Sequence, residues 1–135
     1  MALIREIREQ VFNILEGDTS LITTIGGTGR ITIGKRNTTI DYTNGKVHPV
    51  LYSPAPSSVA FDLTEMAIQV DFFGEDVSNI EDAMWRVVQL LHGESVTLTL
   101  ADFQSLRLKD ATALSWDDTL SLYSGTINFL IKVTE

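Results

Sequence analysis

The chain has no cysteine and no long hydrophobic run among its 135 residues. Without cysteine it can form no disulfide bonds, thiolate metal sites or cysteine nucleophiles. No apolar stretch approaches the roughly 18 residues that a membrane-spanning helix needs. Charged residues interrupt the N-terminal segment, so it lacks the apolar middle of a signal peptide. We therefore expect a soluble protein, without membrane contact, that is made and kept in a cytoplasm.

Basic residues are also scarce, because 10 Lys and Arg stand against 18 Asp and Glu and give a net charge of −8. Proteins that grip duplex nucleic acid usually present a basic surface, so we expect no tight binding of DNA. The hydrophobic content is 44%. In a chain of this length, that content indicates one packed domain over residues 1–135.

Hydrophobic spacing predicts two amphipathic helices. The first spans residues 3–16 and is followed by Gly17, where we expect a left-handed C-terminal cap. The second spans about residues 79–91, and Ser78 and Glu81 have the spacing of a capping box at its start.

Alternating or β-branched segments predict the strands. They lie at residues 30–34, 47–53, 59–73, 95–101, 105–116 and 122–133, with a break at 53–58. In the third strand the alternation changes parity near Thr64, which predicts a bulge or bend. The polar stretch 35–46, which contains Asn44-Gly45, is either a long hairpin or a flexible loop that becomes ordered on assembly. The order of elements predicts an α+β fold: a single, mostly antiparallel sheet with two amphipathic helices packed on one face.

The sequence contains no complete motif for catalysis, for a cofactor or for a metal. Residues 29–36, GRITIGKR, begin like a phosphate-binding loop, but Arg36 stands where that loop needs Ser or Thr, and no helix follows. His48 and His92 lie far apart, and the chain has no G-x-S-x-G motif. We therefore assign no catalytic, cofactor-binding or metal-binding residue.

The acidic stretch VDFFGEDVSNIED, residues 70–82, has two interpretations. Its carboxylates either form a reactive or metal-binding cluster, or they stabilise the start of the second helix through its dipole. We favour the second interpretation, which accounts for Glu75, Asp76, Glu81 and Asp82. It leaves Asp71, on the non-core side of its strand, unexplained.

Two aromatic residues fall outside the apolar stripes of the predicted helices. Phe12 and Trp85 each either pack under a loop or anchor a partner, because aromatic residues are enriched at the centres of interfaces. Together with Lys35 and Arg36 of the polar stretch and the unexplained Asp71, they are our candidates for an interface. Self-assembly is the natural form of such an interface.

The order of these segments resembles the tail-terminator, or tail-completion, proteins of long-tailed bacteriophages over nearly the whole chain. After the N-terminal helix, the resemblance rests on GGTGRI (26–31), HPVLYS (48–53), AIQVDFFGED (67–76), VSNIEDAMWRVVQLLHG (77–93) and YSGTINFLIKV (123–133). It implies a non-enzymatic structural protein of the virion tail or neck, made in the cytoplasm of a bacterial host.

The resemblance also implies the partners. Such proteins form a ring homo-oligomer, commonly a hexamer, that caps the tail tube and joins it to the head connector. The chain itself, the tail-tube protein and the head-connector protein are then its partners, and DNA only passes through the lumen. An acidic lumen would suit that passage, since it does not hold phosphates. The alternatives are another neck or head-closure adaptor and, less favoured, a small metal-dependent hydrolase that uses the acids of residues 70–82.

Overall fold

The computed structural model describes residues 3–60, 63–93, 98–99 and 103–134. These residues form three helices and one mixed seven-stranded sheet. In chain order the elements are α1 (Leu3–Glu16), α2 (Thr19–Ile25), β1 (Thr32–Ile33), β2 (Val47–Leu51), β3 (Ala55–Ala60), β4 (Leu63–Gly74), α3 (Val77–Leu91), β5 (Phe103–Ala111), β6 (Ser115–Asp117) and β7 (Leu122–Thr134). The predicted α+β fold is confirmed, with one short helix, α2, that the sequence did not predict.

The long strands β4 and β7 form the centre of the sheet. The strand order is β1-β2-β4-β7-β5, while β3 pairs with β4 and β6 pairs with β7. Of the strand pairs that the structure describes, only β1 and β2 are parallel. Strands β1 and β5 therefore lie at opposite edges of the sheet.

Strand β1 covers only Thr32–Ile33 of the predicted strand 30–34, and it runs parallel to β2. A hairpin joins antiparallel strands, so the hairpin alternative for residues 35–46 was wrong. This stretch crosses over instead, and it ends in a short 3-10 turn at Thr43–Gly45. Asn44 and Gly45 have φ angles of 58° and 75°, so the Asn-Gly pair does mark a turn.

The core lies between the helices and one face of the sheet. Alternate residues of β4 and β7 are buried there and face each other across the ladder, as Ile68 does with Phe129 and Val70 with Ile127. Helix α3 contributes Ile80 to the same cluster. The last strand, which was predicted at residues 122–133, buries every second side chain from Ile127 onward: Ile127, Phe129, Ile131 and Val133.

The prediction of a left-handed cap at Gly17 was wrong. Gly17 is not among the glycines with positive φ, and its N–H still donates to the carbonyl of Asn13 at 2.9 Å. Helix α2 begins at once, because the Asp18 carboxylate accepts the N–H of Leu21 at 2.9 Å and caps it. The left-handed glycine comes one helix later, at Gly26, whose φ is 102°.

Of the bulge or bend predicted near Thr64, the bulge was wrong, because β4 pairs with β7 there without a shift of register. The parity of the alternation changes there because two antiparallel strands meet, with β3 ending at Ala60 and β4 beginning at Leu63. The predicted break at residues 53–58 partly belongs to β3, which pairs Ala55 with Ala67. The predicted strand 105–116 is likewise divided between β5 and β6. Most of the predicted strand 95–101 lies outside the described residues.

Helix α3 starts two residues earlier than predicted. Its N-cap is Asp76, whose carboxylate accepts the N–H of Asn79 at 3.2 Å. The predicted cap, Ser78, lies inside the helix. Asp76, which lies between β4 and α3, caps the helix with its own side chain, so no capping box is needed.

Candidate functional site

The acids of residues 70–82 do not converge on one point. Glu75, Asp76, Glu81 and Asp82 are all exposed. Among the described residues, no group of three or more His, Asp or Glu side chains is placed to hold a metal ion. The structure gives the metal-site interpretation no geometric support, whereas Asp76 acts directly as the cap of α3.

Asp71 lies half-buried on the sheet face opposite the core. Its Oδ1 accepts hydrogen bonds from Gln69 Nε2 at 2.9 Å and from Thr126 Oγ1 at 2.7 Å. Burial raises the pKa of Tyr52, and the neighbouring Asp71 raises it further. Asp71 therefore links β4 to β7, and its predicted role in an interface stays a prediction.

His48 is buried, and both of its ring nitrogens have partners. Nδ1 donates to the carbonyl of Arg30 at 2.6 Å, while Nε2 accepts the N–H of Asn37 at 2.9 Å. Burial lowers the pKa of His48, against the effect of the Arg30 carbonyl, and the charges of Arg30 and Arg36 lower it further. The neutral ring thus fixes the start of the polar stretch, which is a structural role.

The polar stretch 35–46 is tied to the rest of the fold at further points. The Arg30 guanidinium donates from Nη2 to the carbonyl of Asp41 at 2.6 Å and from Nε to that of Val47 at 2.9 Å. Asn79 of α3 donates to the carbonyl of Gly45 at 3.0 Å. These bonds define its course, while the flexibility predicted for it stays a prediction.

The predicted basic candidates lie together at the β1 edge. Lys35 is exposed, and the Arg36 guanidinium stacks over the ring of Phe73 at 5.9 Å from its centroid. They line an open pocket of about 440 Å³ together with Ile33, which is 42% exposed. Ile33 was not among the predicted interface candidates, because the β-branched pattern predicted a strand there and gave no sign of its exposure.

Among the large hydrophobic side chains whose exposure the structure describes, Trp85 is the most exposed, at 63%. It lines an open, mostly apolar groove of about 380 Å³ between α3 and the β5 side of the sheet. Met84 and Val88 come from α3, and Leu108 and Leu114 come from β5 and the segment after it. The helical spacing located Trp85 correctly on an exposed face, but the groove depends on residues far apart in sequence.

Phe12, the other aromatic candidate, is placed differently. It is half-buried and packs against the core cluster. The core, and not a loop, therefore covers part of the Phe12 side chain, and its predicted role in an interface stays a prediction.

Trp116 is a second exposed tryptophan, which the sequence analysis missed. It is 49% exposed, packs edge-to-face on Tyr123 at 5.0 Å and donates from Nε1 to Asp118 at 2.8 Å. The local pattern gave no signal for this exposure, since alternation with the polar Ser115 and Asp117 would place Trp116 on the opposite, core-facing side of a strand.

Across the described part of the chain, no helix combines the length and apolar character required to cross a membrane. No protein-family model matches the chain, and a search of curated proteins finds no relative. A search of solved structures does find similar chains.

One of them belongs to a structure described as the virion of a native gene transfer agent (GTA) particle. The TM-score is 0.74, with 13% sequence identity over 96% of this chain and 95% of that chain. The two chains share a fold. At this identity the likeness concerns architecture, and a function must be argued separately.

Proposed function

We propose that this protein is a structural, non-enzymatic component of a phage-like virion. In the finer form of the proposal, it is a tail terminator that assembles into a ring, commonly a hexamer in the family it resembles. The ring caps the tail tube and joins it to the head connector. The protein is then made in the cytoplasm of a bacterial host and located in the virion tail or neck.

The observation that carries the proposal is the fold shared over 96% of the chain with a chain of a gene transfer agent virion. The order of segments that resembles tail terminators supports the same role independently of that structure. The net charge of −8 is compatible with DNA that passes through a lumen without adhering to it.

Deleting the gene and examining the particles by electron microscopy tests the proposal. Loss of a tail terminator should give over-long tails, because nothing stops growth of the tube. Empty heads with free tails of normal length would instead assign the protein to a head-closure adaptor of the neck. Normal, infectious particles would contradict a virion role, and complementation with the intact gene is the control.

A further inference from the structure

Two exposed pockets on the described residues are lined by apolar and charged side chains, and they lie at opposite edges of the sheet. The first, here called the basic edge, consists of Ile33, Lys35 and Arg36 beside β1. The second, the tryptophan groove, contains Trp85 and is bordered by Glu81. The strand order places β1 at one edge and β5, which supplies Leu108 to the groove, at the other.

The basic edge combines an apolar side chain with two cations that lack a carboxylate partner. Ile33 is exposed, and within the described part of the chain neither Lys35 nor Arg36 forms an ion pair with a carboxylate. The bond from the Asn37 N–H to His48 fixes the chain directly after them. This edge is therefore preorganised, which lowers the conformational entropy that binding costs.

The tryptophan groove complements the basic edge, because it is apolar and has acidic residues nearby. Its wall is mostly apolar, and the exposed Glu81 lies at its border. Asp82, the next residue of α3, is exposed as well. Neither carboxylate forms an ion pair among the residues that the structure describes. An exposed tryptophan beside unpaired acids fits a partner surface that presents an aliphatic side chain next to basic ones.

We infer that the basic edge of one copy docks in the tryptophan groove of a second copy. Ile33 enters the groove against Trp85, while Lys35 and Arg36 pair with Glu81 and Asp82. Because the two surfaces differ and lie at opposite edges of one sheet, the contact is head-to-tail. Repetition of a head-to-tail contact gives a closed ring when the rotation between copies closes, and an open filament when it does not. This inference rests on the self-assembly in the proposed function and names the surfaces that carry it.

Charge reversal tests the contact with purified full-length chains. The variant K35E/R36E makes the basic edge acidic, and the variant E81K/D82K makes the groove border basic. Each variant alone should lose the oligomer that the wild-type chain forms at the same concentration, measured by native mass spectrometry and analytical ultracentrifugation. An equimolar mixture should recover it, because each surface then meets one of opposite charge, and the recovered species should contain both variants in equal number.

Blocking the apolar part tests the head-to-tail geometry. The variant I33D keeps an intact groove, and the variant W85E keeps an intact basic edge. In a mixture of the two, the only contact left is the one between the basic edge of W85E and the groove of I33D. The mixture should give a 1:1 dimer and nothing larger. The matched control is W116A, which removes an exposed tryptophan outside the groove and should assemble like the wild type. Thermal unfolding of each variant identifies any that fail to fold.

Three results would overturn the inference: a wild-type chain that stays monomeric, a K35E/R36E or E81K/D82K variant that assembles normally, or a blocked mixture that forms full-size oligomers. If W85E instead assembles normally but no longer binds purified tail-tube protein, the groove serves that partner and not a second copy. The proposed function is tested separately, by the morphology of particles that lack the gene.

Discussion

At the scale of single residues, only the neutral form of His48 can hold the start of the polar stretch 35–46 in place. Its neutral ring accepts the N–H of Asn37 through Nε2, and a protonated ring has no lone pair left to accept it. Burial lowers the pKa of the folded-state ring below its ordinary value of 6.5. The unfolded chain therefore binds this proton more readily than the folded chain does.

This difference predicts a pH dependence of stability. The contribution of His48 is fully present above about pH 6.5 and is lost as the pH falls from there through the lowered folded-state pKa. Urea unfolding at several pH values between about 7.5 and 5.5 should show a falling free energy of unfolding. The variant H48Q should be less stable at neutral pH and have a flatter profile. H92Q, which changes an exposed histidine and leaves His48 in place, is the matched control; an H48Q profile as steep as the wild type would contradict the prediction.

Two large aromatic residues with opposite burial give a second residue-scale prediction. Phe129 is fully buried against Ile68, while Trp85 is 63% exposed. F129A should lower the free energy of unfolding by about 3–5 kcal/mol, because it removes core contacts and leaves a cavity. W85A should cost the monomer about 1 kcal/mol or less. Denaturant unfolding of dilute samples measures both, and a W85A monomer as destabilised as F129A would place Trp85 in the core.

At the scale of elements, Asp18 joins two helices that are distant in sequence. It caps α2, and both of its carboxylate oxygens bind Arg86 of α3, at 2.9 Å from Nε and 2.8 Å from Nη2. The hydrogen bond from Arg86 is the main reason that the pKa of Asp18 is lowered. A planar guanidinium suits this two-point contact better than an ammonium group does.

Substitutions at Asp18 should separate its two roles. D18N keeps a capping oxygen but loses the charge that pairs with Arg86, whereas D18A loses both. The cap alone is worth roughly 0.5–2 kcal/mol. The expected order of stability is therefore wild type, then D18N, then D18A, measured by denaturant unfolding. Equal stability of D18N and D18A would mean that the cap contributes nothing here.

The turn at Asn44-Gly45 gives another element-scale prediction. Gly45 has a φ of 75°, and an added Cβ would overlap the Asn79 side chain that bonds to its carbonyl. Gly34 has a similar φ of 79°, but a Cβ there would meet open space. G34A should therefore cost only the backbone strain, about 1–2 kcal/mol. G45A should cost more, since Asn79 must also move. Thermal unfolding compares them, and a G45A chain no less stable than G34A would contradict the packing argument.

At the scale of the whole molecule, self-assembly couples stability to concentration. A partner that binds only the folded chain raises the melting temperature by mass action. The Tm of the wild type should rise with protein concentration, and the Tm of W85E should not. W116A again serves as the control and should keep the concentration dependence. A wild-type Tm that is constant over a hundredfold range of concentration would count against assembly of the free protein.

The prediction of the fold from sequence succeeded where a pattern is local. The stripes of α1 and α3 and the alternation of β4 and β7 follow from the repeat of each element, so the buried faces were predicted together with the α+β class. Several errors fell at boundaries, as at Gly17, Thr64 and Ser78, whereas helix α2 and the parallel pairing of β1 with β2 were missed altogether. The change of parity near Thr64 marks a bulge or the junction of two strands equally well, and only the pairing of β3 with β4 distinguishes them.

The candidate site was likewise predictable from the sequence only where the pattern is local. Helical spacing alone placed Trp85 outside the apolar stripe, because the angle between side chains on a helix is fixed by its pitch. Spacing could not identify Ile33 as exposed or Phe12 as packed against the core. The exposure of a side chain depends on what other segments cover it.

The sequence by itself determined which face of each long element is apolar, the absence of thiol chemistry and the acidic charge. These are properties of residue type and local repeat. Only the tertiary structure decided that β1 runs parallel to β2, that His48 holds the polar stretch, and that Trp85 meets Leu108 to form a groove. The reason is physical: each of these features joins segments that are far apart in sequence, and the packing of the whole chain brings them together.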